Sequence, residues 1–174
     1  MATAGRTEST ALARTPIGEL LAREPYRFEF FQAVRLLNLL LVERSPVGRF
    51  VSPSAEVARF AVNPSPAFPA SQIQSLTMRE DGTPVLSVNF MGLVGPLGLL
   101  PLYYTELVME RTRARDHALR EFLDIFHHRM LSLFYAAWEK YRFSIAYERG
   151  ERDRFSRHLL NLIGLGTPGL QERQ

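Results

Sequence analysis

Hydrophobic residues spaced three and four positions apart predict two long helices. The first runs from Arg27 to Glu43, and its apolar stripe consists of Phe30, Val34, Leu37 and Leu41. The second runs from Asp116 to Tyr141, with a stripe of Leu119, Phe122, Phe126, Met130, Leu133 and Ala137, widened by Leu123, Leu131, Phe134 and Trp138. A helix with so broad an apolar surface must be enclosed by other elements or by another chain.

Between these helices the pattern changes from helical spacing to strict alternation. Residues Glu56–Asn63, Gln72–Arg79 and Val85–Phe90 alternate as strands do, and Asp81-Gly82 is a typical hairpin turn. We therefore predict an α+β fold in which a small antiparallel sheet is inserted between apolar helices.

Shorter elements complete the chain. Helices are predicted after Thr15, from Leu102 to Arg113 and around Phe155–Ile163, whereas Phe143–Tyr147 is either a strand or an extension of the long helix. Residues 1–23 are interpreted as a tail and lead-in helix, 24–163 as one domain, and the charged segment 148–153 within it as a hinge. The glycine-rich residues 164–174 resemble a linker to an absent C-terminal half.

Composition excludes several classes of protein. The 174 residues are 46% hydrophobic and 22% charged, which is ordinary for a soluble domain, and no run is long enough for direct membrane insertion. The chain has no cysteine and therefore no disulfide or thiolate metal site. Its net charge of +3 comes from basic residues interleaved with acidic ones, so nucleic-acid binding is not predicted.

The histidines do not predict a metal site. His127 and His128 are adjacent, so on a helix they point about 100° apart and do not easily share one ion. His117 and His158 stand alone among charged neighbours. We expect surface or interface histidines, and no metal or cofactor.

Two further patterns have an enzymatic interpretation and a simpler structural one. The glycines of Gly92–Gly98 lack phosphate-loop spacing, and Pro96 lacks the N–H that such a loop would use, so a structural turn is predicted. Glu106 and Glu110 share one helix face and would be the acid/base pair of an alternative function, a small cytoplasmic hydrolase. Solvated or arginine-paired carboxylates explain them more simply. No catalytic residue is assigned.

The aromatic content of the second long helix favours protein–protein interaction instead. Tryptophan, tyrosine and arginine are enriched where interfaces derive most of their binding energy. The predicted interface residues, taken from both long helices, are Phe30, Val34, Leu37, Leu41, Phe126, Met130, Phe134, Trp138 and Tyr141.

Three blocks of the sequence resemble one known family. They are EPYRFEFFQAVRLLN from Glu24, VNFMGLVGPLGLLPLYYTELVMER from Val88, and FLDIFHHRMLSLFYAAWEKYR from Phe122. The segments FPASQIQSL and RDRFSRHLLNLIGLGTPG extend the similarity over most of residues 24–169. The family is TssG, also called ImpH or VasB, a baseplate subunit of the bacterial type VI secretion system.

The resemblance implies a structural role and no enzymatic activity. Members of the family are similar in role to a phage baseplate wedge component. They bind two copies of TssF and contact TssE and TssK, and through these the sheath and the membrane complex. The implied location is the cytoplasm, at the inner face of the inner membrane. Family members are roughly twice as long as this chain, so we expect it to represent the N-terminal half.

Overall fold

The computed structural model describes residues 15–148 and 154–167. Two compact units are present, one ending at Ala136 and the other beginning at Ala137. The first contains α1 (Pro16–Arg23), α2 (Phe30–Leu40), β1 (Arg59–Val62), β2 (Ile73–Met78), β3 (Pro84–Val88), α3 (Leu102–Arg113) and most of α4 (Ala118–Glu139). The second contains the end of α4, α5 (Phe143–Glu148) and α6 (Arg154–Leu162).

The three strands form one sheet in the order β1-β3-β2, and the predicted α+β class is confirmed. The sheet is mixed, however, so the prediction of purely antiparallel pairing is wrong: β3 is antiparallel to β2 but parallel to β1. The Asp81-Gly82 turn joins β2 directly to β3, whereas residues 63–72 separate β1 from β2. Three prolines in that connection cannot donate to a ladder. β2 therefore does not pair with β1, and β3 lies between them in the centre of the sheet.

Helix α2 begins three residues later than predicted. Pro25–Arg27 forms a 3-10 turn, and Phe28 and Glu29 stay extended. The N–H of Phe30, the first residue of the helix, donates to Oε1 of Gln72 at 2.9 Å. A residue just before β2 thus satisfies one of the N–H groups that a helix start leaves unpaired.

The predicted stripe of α2 lies entirely inside the first unit. Phe30, Val34, Leu37 and Leu41 are buried, the first three completely. The ring of Phe30 meets that of Phe60 from β1 with centroids 5.4 Å apart. The apolar side of α2 is therefore covered by the chain's own sheet and helices.

A tight turn joins α3, whose bounds are as predicted, to α4. Arg115 adopts a left-handed backbone (φ 61°), and its N–H donates to the carbonyl of Thr112. The N–H of Asp116 donates to the carbonyl of Arg111, completing a common helix-ending arrangement. The carboxylate of Asp116 accepts from the N–H of Ala118 at 3.1 Å, so Asp116 supports a helix that begins two residues later than predicted.

The sequence after α4 is helical. Phe143–Glu148 is the separate helix α5, because residues 140–142 form a turn in which the N–H of Arg142 donates to the carbonyl of Glu139. The predicted last helix is present as α6. The predicted tail at residues 1–14, the hinge at 149–153 and the end of the linker at 168–174 lie outside the described residues. The domain boundaries proposed from the sequence stay predictions.

The hairpin turn predicts a pH dependence of stability. The N–H of Thr83 donates to Oδ1 of Asp81 at 2.8 Å and holds the pKa of that carboxyl below its usual range. A lowered folded-state pKa gives stability that is present above the unfolded pKa and is lost as pH falls through the folded one. Asp81→Ala should cost about 0.5–1 kcal/mol of unfolding free energy at pH 7, a typical hydrogen-bond contribution, and much less near pH 2.

Urea titrations at both pH values measure this difference. Glu80→Ala is the matched control, since it removes an exposed carboxylate from the same hairpin. A loss for Asp81→Ala that is equal at pH 7 and pH 2 would show that the charged hydrogen bond contributes nothing.

Candidate functional site

The buried side of α4 carries a histidine that joins two other segments. The N–H of Phe60 in β1 donates to Nδ1 of His128 at 3.3 Å. Because Nδ1 accepts, the ring proton lies on Nε2, which donates to Oε2 of Glu56 at 3.3 Å. His128 and Glu56 are both buried. One imidazole therefore links α4, an edge strand and the loop that precedes it.

Glu56 receives further hydrogen bonds at this point. The N–H of Gly48 donates to its Oε1 at 3.3 Å, and the hydroxyl of Ser132 donates to its Oε2 at 3.5 Å. Gly48 has φ 79°, and a Cβ there would lie 2.6 Å from the carbonyl oxygen of Ser132. The loop thus approaches α4 so closely that only glycine fits. Serine, histidine and glutamate meet here, but they are buried and hydrogen-bonded to the fold.

His127 makes an equivalent connection on the other side. Its Nε2 accepts from the N–H of Leu93 at 3.0 Å, and its Nδ1 donates to Oδ1 of Asp124 at 2.9 Å. The same carboxylate oxygen accepts from the N–H of Val62 in β1 at 3.4 Å. We call His127, His128 and Asp124 the polar clamp. It fixes α4 to the strand and to the turn that follows the sheet.

The expectation of surface or interface histidines is wrong for the adjacent pair. His127 and His128 are 1% and 6% exposed. The sequence does contain a signal for this arrangement, because Leu123, His127, Leu131 and Tyr135 recur every four residues and three of them are apolar. This face is the buried one. The predicted stripe through Phe122 and Phe126 lies on the opposite side.

That opposite side presents apolar residues to solvent. Phe122, Ile125, Phe126 and Leu133 form the exposed face of α4, and their exposure ranges from 46% to 65%. The rings of Phe122 and Phe126 meet edge to face, with centroids 5.3 Å apart. Large apolar patches that stay exposed on a folded protein commonly mark interaction sites, whereas single exposed apolar residues do not.

The structure divides the nine predicted interface residues into three groups. Phe30, Val34 and Leu37 of α2, and Leu41 directly after it, are buried in the first unit. Phe126, Met130 and Phe134 are partly or well exposed in the first unit. Trp138 and Tyr141 belong to the second unit. For all nine residues the interface stays a prediction.

Phe134 has a structural contact as well as an accessible edge. Its ring lies 5.1 Å from that of Phe31 and 6.1 Å from that of Phe90, centroid to centroid. It is nevertheless 40% exposed. This residue therefore closes the aromatic core beside α2 with one side and faces solvent with the other.

In the second unit, cationic side chains lie over two aromatic rings. The guanidinium of Arg142 lies 4.2 Å above the ring of Trp138, and the same group donates to the carbonyl of Trp138 at 3.0 Å. The ammonium of Lys140 lies 5.2 Å from the ring of Tyr141, which is 81% exposed. A cationic group thus lies over one face of each ring.

The enzymatic interpretations receive no support from the geometry. Glu106 and Glu110 are exposed on α3. In the glycine-rich turn, the N–H of Gly95 donates to Oγ1 of Thr105 at 3.2 Å and that of Gly98 donates to the carbonyl of Gly95. Within the described residues, no cluster of three or more His, Asp or Glu side chains could hold a metal ion. The turn is a structural connection, as predicted.

Residues 24–174 match the protein family described as Type VI secretion, TssG. The chain belongs to the TssG family. All three sequence blocks that resemble TssG lie inside the matched range. No curated protein and no solved structure matches the chain significantly.

Membership of the TssG family places the chain among the subunits of the type VI secretion baseplate. The family is a structural component of that machinery. In residues 15–148 and 154–167, no helix is both long and apolar enough to cross a membrane.

The polar clamp predicts a specific order of stabilities. His128→Leu introduces an apolar side chain of similar size, but it removes the acceptor for the N–H of Phe60 and one of the three donors to the carboxylate of Glu56. We expect a loss of about 2–4 kcal/mol in unfolding free energy, measured by urea titration. His128→Gln should lose less, because a carboxamide both donates and accepts.

His117→Leu is the control for this series, since the same substitution at an exposed histidine should change stability by about 0.5 kcal/mol or less. If His128→Leu were as stable as the wild type, or more stable than His128→Gln, the contribution of this site to stability would come from packing and not from hydrogen bonding.

Proposed function

We propose that the chain is a wedge subunit that scaffolds the type VI baseplate through protein–protein contacts, with α4 as its main docking element. The observation that carries this proposal is the exposed face of α4, in a chain that belongs to a family of assembly subunits. A helix whose other side is fixed by the polar clamp presents this face in one defined orientation.

The exposed face of α4 retains apolar area that a partner can bury. Fully burying a large apolar side chain contributes about 1.5–3 kcal/mol, so each half-exposed residue of this face has about 1 kcal/mol still available. Several such residues lie on neighbouring turns of one helix, where a single partner surface reaches them together. Phenylalanine rings that meet edge to face also lose little side-chain freedom on binding.

We further propose which residues take part. Phe126, Met130 and the accessible edge of Phe134 contribute from the first unit. Trp138 and Tyr141 contribute from the second, where cationic groups lie over their rings. The buried residues of α2 support α4 from within the fold and do not contact a partner.

The proposed partners follow from the TssG family. TssF, in two copies, is the partner of α4, and TssE and TssK are contacted elsewhere on the assembled subunit. Such a subunit acts in the cytoplasm at the inner face of the inner membrane, and it reaches the sheath and the membrane complex indirectly. The family match supports the type VI assignment, and the exposed helix supports a docking role.

Phe126→Asp tests the proposal. The chain is co-expressed with TssF from the same operon, and the complex is measured by size-exclusion chromatography with light scattering. We expect wild-type chain to co-elute with TssF and Phe126→Asp to bind about 30-fold more weakly or not at all, as for an interface hot spot. Circular dichroism checks that the variant is folded.

Phe68→Asp is the matched control. Phe68 is 95% exposed in the connection between β1 and β2, so the same substitution is made away from α4. TssF binding should be unchanged. If both variants bound like the wild type, α4 would not be the docking element.

The rival hydrolase function has a direct test. Glu106→Ala with Glu110→Ala should leave TssF binding intact, because both carboxylates are exposed on α3 and not on the exposed face of α4. A hydrolytic activity of the wild-type chain that this double variant abolished would favour the enzyme.

A further inference from the structure

One cation lies within the exposed face of α4. Arg129 follows Phe126 by three residues and precedes Leu133 by four, so its side chain lies beside both on the helix surface. Its guanidinium lies 5.3 Å from the centroid of the Phe50 ring, which is itself 98% exposed. The apolar surface therefore has a positive charge among its aromatic residues.

Arg129 makes no ion pair within the described part of the chain, where its contact is the Phe50 ring. Arg120, on the same helix, lies 3.7 Å from a carboxylate oxygen of Asp124. The two arginines thus differ in whether a carboxylate lies near the guanidinium. The charge of Arg120 is partly compensated within the fold, and that of Arg129 has no carboxylate within ion-pair distance in the part of the chain that the structure describes.

A partner that covers the apolar residues must also remove water from Arg129. Removing water from a charged group without providing an opposite charge costs more than the neighbouring apolar contacts return. A carboxylate opposite the guanidinium reverses this balance, because it forms charge-assisted hydrogen bonds in a desolvated setting. The position of Arg129 therefore restricts which surfaces can dock.

We propose that the surface docking on α4 is acidic at this point, with an Asp or Glu carboxylate of the partner paired to Arg129, and that this pair helps to select the partner. The proposal rests on the proposed function, since it specifies the chemistry of the surface that the exposed face of α4 receives. The guanidinium already lies 5.3 Å from the centroid of the Phe50 ring before binding, a cation–π contact that favours this position of the side chain.

Arg129→Met separates an acidic partner from a merely apolar one. Methionine keeps the unbranched apolar stem and removes the charge. Against an acidic partner surface, the substitution leaves a buried carboxylate unpaired, so TssF binding should weaken about 30-fold or more. Against an uncharged surface, binding should be unchanged or tighter, because the desolvation cost disappears. The dissociation constant is measured by titration with purified TssF.

Arg113→Met is the matched control. Arg113 is an exposed arginine in the last turn of α3, away from the exposed face of α4, and its replacement should leave affinity within about twofold. Thermal unfolding followed by circular dichroism establishes that each variant is folded. Raising the salt concentration should weaken the wild type more than Arg129→Met.

The outcomes distinguish this inference from the proposed function. If Phe126→Asp loses TssF but Arg129→Met binds as well as the wild type, the docking role holds and the acidic partner is overturned. If the wild-type chain does not bind TssF, both proposals fail. If light scattering shows that the chain dimerises alone and Arg129→Met is monomeric, a second copy occupies this surface and the inference is wrong.

Discussion

The structure of the first unit depends on how the backbone N–H groups on the outer edge of strand β1 find hydrogen-bond acceptors. β1 pairs with β3 on one side only, and an edge strand with free N–H groups invites pairing with another chain. Here the N–H groups of Phe60 and Val62 donate to His128 and Asp124 of α4. The helix thus covers the edge where a further strand could pair. Its side-chain acceptors bind the N–H groups that would otherwise donate to the backbone of that strand.

This arrangement also fixes the rotation of α4 about its axis. Each acceptor of the polar clamp must meet a particular backbone N–H, and Glu56 must meet His128, so turning the helix would leave several buried polar groups unpaired. Such a loss is expensive in a water-free environment, whereas sliding apolar contacts past one another costs less. The exposed face of α4 is therefore set by the polar residues on the buried side, and not by a difference in hydrophobicity between the two sides.

The same constraint connects fold to assembly. Because α4 cannot turn Phe122 and Phe126 inward, the chain keeps an apolar surface that a partner can cover, with Arg129 at a defined place within it. The interior, by contrast, is completed by α2, whose Phe30 lies among rings from three other parts of the fold. The apolar side of α2 is thus covered and that of α4 is exposed, despite similar sequence patterns.

The sequence by itself determined most of the elements, the α+β class and the TssG family, because these depend on local spacing and on motifs that adjacent residues carry. Helix α3, the hairpin at Asp81-Gly82 and the last helix were all predicted from such signals. Only the tertiary structure decided the strand order, since pairing β1 parallel to β3 depends on contacts between distant residues. It also decided which side of α4 is buried: a pattern apolar on both sides does not distinguish Leu123 from Phe122, and the choice follows from hydrogen bonds of His127 and His128 to segments far away in the sequence.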